Sequence, residues 1–118
     1  MLQLTPHHSI HVAIEPIDFR KGINGLVAIC QQHLSQEPFS GHIFVFRNRL
    51  KTAVKLLVYD GNGFWLCHKR FSSGKLAWWP DSKSSNITIP ALKLQVMLQQ
   101  GNPMQAELPS PWLPLQRT

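Results

Sequence analysis

The chemistry this chain offers is that of basic side chains, and they fall into three groups. Arg20 and Lys21 follow Asp18 at the start of an apolar-periodic stretch. Arg47, Arg49 and Lys51 come at and just after the end of the run His42–Arg47 (HIFVFR). Lys69, Arg70 and Lys75 stand at the far end of a later apolar run, beside Phe71, Trp78 and Trp79. Guanidinium and ammonium groups contact phosphate oxygens, which position a protein on nucleic acid without reading its sequence. Aromatic rings beside them suit base stacking. Arg20, Lys21, Arg47, Arg49, Lys51, Lys69, Arg70 and Lys75 are therefore the candidate nucleic-acid-binding set.

Each group has a plainer alternative. Free amides at a helix start attract anions, and Arg20 with Lys21 would add to that attraction. Alternatively Asp18 compensates the two cations locally and both are simply solvated. Among the aromatics, Phe44, Phe46, Trp65 and Trp79 are expected in the core rather than on a stacking platform.

Catalytic material is sparse. The six acids (Glu15, Asp18, Glu37, Asp60, Asp81, Glu107) are scattered, whereas two-metal nuclease or strand-transfer chemistry needs several carboxylates converging on two cations. The sequence contains no glycine-rich phosphate loop, G-x-S-x-G, H-E-x-x-H or C-x-x-C, the patterns that carry common enzyme chemistries. His7, His8 and His11 invite a metal reading, but in an extended segment His8 and His11 point to opposite faces. No cysteine or carboxylate lies close in sequence to complete such a site. No catalytic residue, metal ligand or cofactor is assigned. Cys30 and Cys67 lie far apart in apolar runs and are expected as buried thiols in a reduced interior.

Twelve Lys and Arg against six Asp and Glu leave a net charge of +6 over 118 residues. Such a balance argues for a polyanionic partner, most often nucleic acid; the alternative is that the charge only keeps the protein dispersed. The length suits one domain with one core. No apolar stretch reaches the roughly 18 residues of a membrane span. The N-terminus lacks a basic-then-apolar leader pattern. The expected location is the cytoplasm, with no membrane partner.

The elements that must position these side chains read as follows. Ser9–Ile14 is a short strand, and Asp18 an N-cap candidate. Ile23, Leu26, Val27, Cys30 and Leu34 make one apolar helix face within a helix near 20–35. Strands follow near 42–47, 53–60 and 63–71, with Asp60-Gly61-Asn62-Gly63 as a hairpin tip. Lys75–Trp79 and Asn86–Ile89 are two further strand candidates. Pro90 opens a helix near 90–100 that Gly101 stops. The fold class is α+β: a small antiparallel sheet of about four or five hairpin-linked strands packed with two helices in a single domain over 1–101. Residues 102–118, with four prolines, read as a flexible tail.

Three blocks in this order then acquire a family meaning. They are Asp18-Phe19-Arg20-Lys21-Gly22-Ile23-Asn24-Gly25-Leu26; Pro38-Phe39-Ser40-Gly41-His42-Ile43-Phe44-Val45-Phe46-Arg47-Asn48-Arg49; and Lys55 through Tyr59-Asp60, Gly63-Phe64-Trp65-Leu66, Lys69-Arg70-Phe71, Gly74-Lys75 and Trp79-Pro80. From about Ile10 to Gly101 the chain resembles the TnpB-type accessory protein encoded by the second open reading frame of the bacterial insertion-sequence-66 transposon family. The resemblance implies a non-catalytic protein that assists transposition by binding DNA, the transposase, or both. A separate, larger transposase would carry the acidic catalytic residues. The implied partners are DNA (transposon ends as the candidate site), that transposase and the element's other accessory protein. A protein–protein adaptor without DNA contact is the alternative, and a small nuclease the third.

Overall fold

The computed structural model describes residues 9–104. His7, His8 and most of the expected tail lie outside them. Five strands form one sheet in the order β4-β3-β2-β1-β5, with β1 Ile10–Ala13, β2 Ile43–Arg47, β3 Ala53–Tyr59, β4 Phe64–Arg70 and β5 Asn86–Ile89. Two helices accompany it, α1 Ile23–Gln32 and α2 Ala91–Leu98, and a 3-10 turn spans Pro38–Ser40. The α+β class, five strands and two helices are as the sequence predicts.

One pairing departs from the expected all-antiparallel sheet. β1 and β2 run parallel, with Ile10 beside Ile43 and Val12 beside Val45; the other three pairings are antiparallel. The cause is α1. Parallel neighbours need a long crossover, usually helical, and the strand–helix–strand order of residues 10–47 supplies one. β2 consequently enters the sheet from the same end as β1.

Helices cover both faces of the sheet. Val54, Leu56 and Val58 of β3 pack with Ile10, Val12 and Val45, under Leu94 and Met97 of α2. On the other face Phe44, Phe46 and Leu57 meet Leu26 and Cys30 of α1. A strand covered on both faces is apolar at every position rather than at alternate ones, which is why β3 reads AVKLLVY. Truncating a residue such as Leu57, fully enclosed, should cost about 2–5 kcal/mol.

The Lys75–Trp79 segment is a loop, not a strand. It closes over the core, with Leu76 and Trp79 buried. The Leu76 amide donates to the Lys51 carbonyl at 2.8 Å, and Trp79 Nε1 donates to the Ala13 carbonyl at 2.9 Å. Trp65, expected in the core, is 45% exposed near the hairpin tip.

Candidate nucleic-acid interface

Strand direction decides where the basic residues go. The C-terminal ends of β1, β2 and β4 and the N-terminal ends of β3 and β5 share one end of the sheet, as the registers Arg47↔Val54, Ala53↔Arg70 and Ala13↔Asn86 require. Three connections therefore meet there: 14–22, 48–52 and 71–85. They are tied together by backbone bonds from Ile17 to the Arg47 carbonyl (3.0 Å), from Phe71 to the Thr52 carbonyl (3.0 Å) and from Ile14 to the Ser85 carbonyl (3.0 Å). All eight residues of the predicted set lie on these connections or at the strand ends beside them. Lys83, exposed in the third connection, joins them without having been singled out from sequence.

Among the described Lys and Arg, Lys93 stands clearly apart from this end. It sits in the first turn of α2, and Arg117 lies outside the described residues. Glu15, Asp18 and Asp81 share the end with the cations, while Glu37 precedes the 3-10 turn and Asp60 sits in the β3–β4 hairpin at the opposite end. The result is a basic rim along one edge of the molecule.

Burial divides the predicted set. Arg20, Lys21, Arg49, Lys69, Arg70 and Lys75 are exposed, whereas Arg47 and Lys51 are half-buried. Arg47 lies over the Trp79 ring, its guanidinium carbon 5.7 Å from the ring centroid. Its Nη1 donates to the Asn48 carbonyl at 3.2 Å, and its Nε is enclosed without a partner. Burial lowers its pKa, and Glu15 opposes that shift. Together with Lys51, Glu15 and Asp81 it lines a cleft of about 230 Å³. Arg47 is therefore not a freely solvated strand-end charge, because Trp79 of the 75–79 loop lies against it.

Aromatic rings at the rim are spoken for. Phe71 and Trp79 are buried, and the Lys69 ammonium lies 5.6 Å from the Phe71 centroid. Neither ring presents a face to a base; Trp78 is half-buried. Lys69 Nζ also donates to the Leu98 carbonyl at 2.6 Å, at the C-terminal end of α2.

Asp18 does not cap α1. The helix begins at Ile23 with Gly22 before it and no side-chain cap. The Asp18 carboxylate instead accepts the Arg20 backbone N–H at 2.9 Å and the Arg20 guanidinium at 2.7 Å. Those bonds hold its carboxyl down to about 2 and push the Arg20 pKa up. The local compensation anticipated for this pair is what the geometry shows for Arg20. Lys21 is held differently: its stem lies against Gly25, where an added Cβ would come within 3.0 Å of Lys21 Cβ.

The residue that sequence reading missed is Lys55, the one polar side chain in the otherwise apolar β3. It is 6% exposed. Its Nζ donates to the carbonyl oxygens of Phe19 (2.8 Å) and Lys21 (2.9 Å) and lies 4.8 Å from the Phe19 ring centroid. A lone lysine in a strand buried on both faces was the available signal.

Among the described residues no group of three or more His, Cys, Asp or Glu is placed to hold a metal ion, and no helix is long and apolar enough to cross a membrane. His11 Nε2 meets His42 Nδ1 at 3.0 Å, a pair rather than a ligand set. Burial pushes the Cys30 thiol up to about 12, and Cys67 is only partly buried.

Comparison with known proteins places this architecture. The family described as "IS66 Orf2 like protein" matches residues 8–107. A Sinorhizobium fredii (strain NGR234) protein designated "Uncharacterized protein y4jC" is 42% identical over 71 residues, 60% of this chain and 61% of the relative. The chain thus matches about three fifths of that relative's length. A second protein of that strain, "Uncharacterized protein y4hO", is 32% identical over 89 residues, 75% of this chain and 76% of its own length. No solved structure matches. With the family match running through the whole sheet, both helices and the rim, the chain belongs to the IS66 Orf2-like family.

Proposed function

We propose that this protein is a non-catalytic accessory factor that binds duplex DNA through the basic rim while the element's transposase performs the chemistry. One observation carries the reading: the Lys and Arg side chains gather on three connections at a single end of the sheet. Six of them, Arg20, Lys21, Arg49, Lys69, Arg70 and Lys75, are exposed there. Such a rim engages phosphates, releases counterions and fixes orientation without reading sequence. With Phe71 and Trp79 buried and Trp78 half-buried, none of these rings stands free as a stacking platform, which favours duplex over single strands. The site of action is the bacterial cytoplasm, at the nucleoid, with the transposase and the element's other accessory protein as partners.

Gel-shift titration of transposon-end duplex and a scrambled duplex at two salt concentrations tests this. The expected result is binding to both, with a log–log salt slope of about −0.9 per phosphate engaged. Protein that binds neither duplex at low salt would establish the second reading, an adaptor that docks the transposase. That reading draws on Phe39, 53% exposed at the end opposite the rim and packed against Tyr59 and Phe64. Incubation with magnesium or manganese should leave DNA uncut; cleavage that copurifies with the protein and disappears on Asp81→Asn would make it a nuclease.

A further inference from the structure

β4, Phe64–Arg70, is an edge strand, and no strand among the described residues pairs with its outer side. Edges left open invite another chain, and natural sheets blunt them with bulges, prolines or charge. The β4 register against β3 is unbroken from Ala53↔Arg70 to Tyr59↔Phe64, so no bulge turns the edge away, and the strand holds no proline. Charge is confined to its last residues. Bonds from Asp60 to the Gly63 carbonyl and from Phe71 to the Thr52 carbonyl fix the hydrogen-bonding phase of this ladder. By strand alternation the backbone groups of residues 65, 67 and 69 face β3, and those of Phe64, Leu66, His68 and Arg70 face outward.

The outward phase and the charge pattern select the same partner. If a second β4 pairs antiparallel about Cys67, Phe64 lies opposite Arg70 of the second copy and Leu66 opposite His68. These are the residues whose backbone groups are turned outward. Trp65, 45% exposed, comes opposite Lys69. The basic half of one strand thereby meets the aromatic half of the other, and cross-strand pairs of this kind are favourable. A parallel arrangement would set Lys69 and Arg70 against their own copies.

We propose that β4 is a dimerisation edge on which a second copy of this chain adds its own β4 antiparallel, joining two sheets into one continuous sheet with Cys67 on the two-fold axis. Antiparallel joining sends the two basic rims to opposite ends of that sheet. On the DNA-binding reading above, on which this last step rests, one dimer then holds two duplex segments.

Sedimentation of the full chain without DNA tests the edge. The expected mass rises with concentration to twice the 13.5 kDa of one chain. Leu66→Pro removes an outward N–H, a place where edge strands tolerate proline, together with the packing of the Leu66 side chain on the α1-side core, and should stay at single-chain mass with its circular dichroism retained. On the axis the two Cys67 residues form a non-hydrogen-bonded pair with Cα atoms about 4.5 Å apart, within disulfide reach. Diamide, accepting two electrons and two protons from the two thiols, should cross-link wild type and not Cys67→Ser; Cys30, fully buried, stays out of the reaction. Single-chain mass at every concentration with no cross-link overturns the proposal, as does a folded Leu66→Pro that dimerises like wild type. Should Leu66→Pro unfold, the Cys67 cross-link decides. For the two-duplex step, bead-bound duplex should capture a second, labelled duplex through wild type and not through Leu66→Pro. A dimer that binds DNA without bridging overturns that step alone, and a dimer that binds no DNA overturns the reading of the rim.

Discussion

Lys55 holds Lys21 from beneath: its ammonium donates a 2.9 Å hydrogen bond to the Lys21 carbonyl oxygen, from a side chain that is 6% exposed. A second bond to the Phe19 carbonyl at 2.8 Å completes the clamp. An ammonium taken this far from water needs such partners, because an unpaired one would cost several kcal/mol. The clamp ties the 14–22 connection to β3, and so fixes where Arg20 and Lys21 stand on the rim.

Lys55→Met keeps the stem and removes the donor. The two carbonyls lie on an exposed connection and can turn to water, so the expected loss is about 1–3 kcal/mol rather than unfolding. Urea denaturation reads that loss. Freed of the clamp, Arg20 and Lys21 should contribute less to DNA affinity although neither is altered. A variant that binds as tightly as wild type, with the stability loss present, would show that the clamp serves the fold alone.

His11 sets a pH limit on stability. It is buried, stacked on Phe44 with centroids 5.4 Å apart, and bonded to His42 at 3.0 Å. Burial first, and the neighbouring His42 second, lower its pKa below 6.5. The unfolded chain then takes up a proton that the folded chain refuses. Stability is fully present above about pH 6.5 and falls as pH drops from there toward the folded pKa. Urea midpoints at about pH 8 and about pH 5 should differ in that direction. His11→Phe, which keeps a ring against Phe44, should remove most of the difference; a wild-type midpoint indifferent to pH would contradict it.

The hairpin tip has its own titration. Asp60 accepts from the Asn62 amide (2.8 Å), the Gly63 amide (2.9 Å) and Trp65 Nε1 (2.8 Å). The two backbone bonds, then the indole, lower its carboxyl pKa. A depressed carboxyl stabilises the turn above its ordinary value near 3.8 and loses that contribution as pH falls through the lowered one. The Trp65 indole N–H resonance should shift in acid along that curve, and Asp60→Asn should flatten it. Gly61, at φ +95°, tolerates no larger residue without strain.

Much of this was legible because local signals and tertiary structure agree. Asp60-Gly61-Asn62-Gly63 can hardly be anything but a tight turn, and strands β2 to β4 followed within a residue or two. The parallel pairing was harder, since 14–42 fixes a helix without saying on which side of β1 its next strand returns. Lys75–Trp79 misled because its apolar residues serve a loop that covers the core, and burial leaves the same trace in a loop as in a strand. At the rim, the eight cations were legible as a group from charge and position. What each touches was not: Arg20 turns to Asp18, Arg47 to Trp79, and Lys55 beneath them carries no sequence mark beyond its isolation in β3.

That division gives the rim its sharpest test. Arg49 and Arg70 are exposed, whereas Arg47 is half-buried over Trp79 with its Nη1 bonded to the Asn48 carbonyl. Exposed cations contribute little to stability, so Arg49→Gln and Arg70→Gln should fold as wild type. If both contact phosphate, each should flatten the log–log salt slope by up to about 0.9 and weaken transposon-end and scrambled duplexes alike. Arg47→Gln should behave differently, costing about 1 kcal/mol of stability through lost packing on the indole. Its slope should change by less, because a guanidinium held under a loop releases fewer counterions from DNA. Equal slope changes in all three variants would mean that Arg47 leaves Trp79 to meet phosphate. Unchanged slopes in Arg49→Gln and Arg70→Gln, with folding intact, would mean that the rim faces a protein instead.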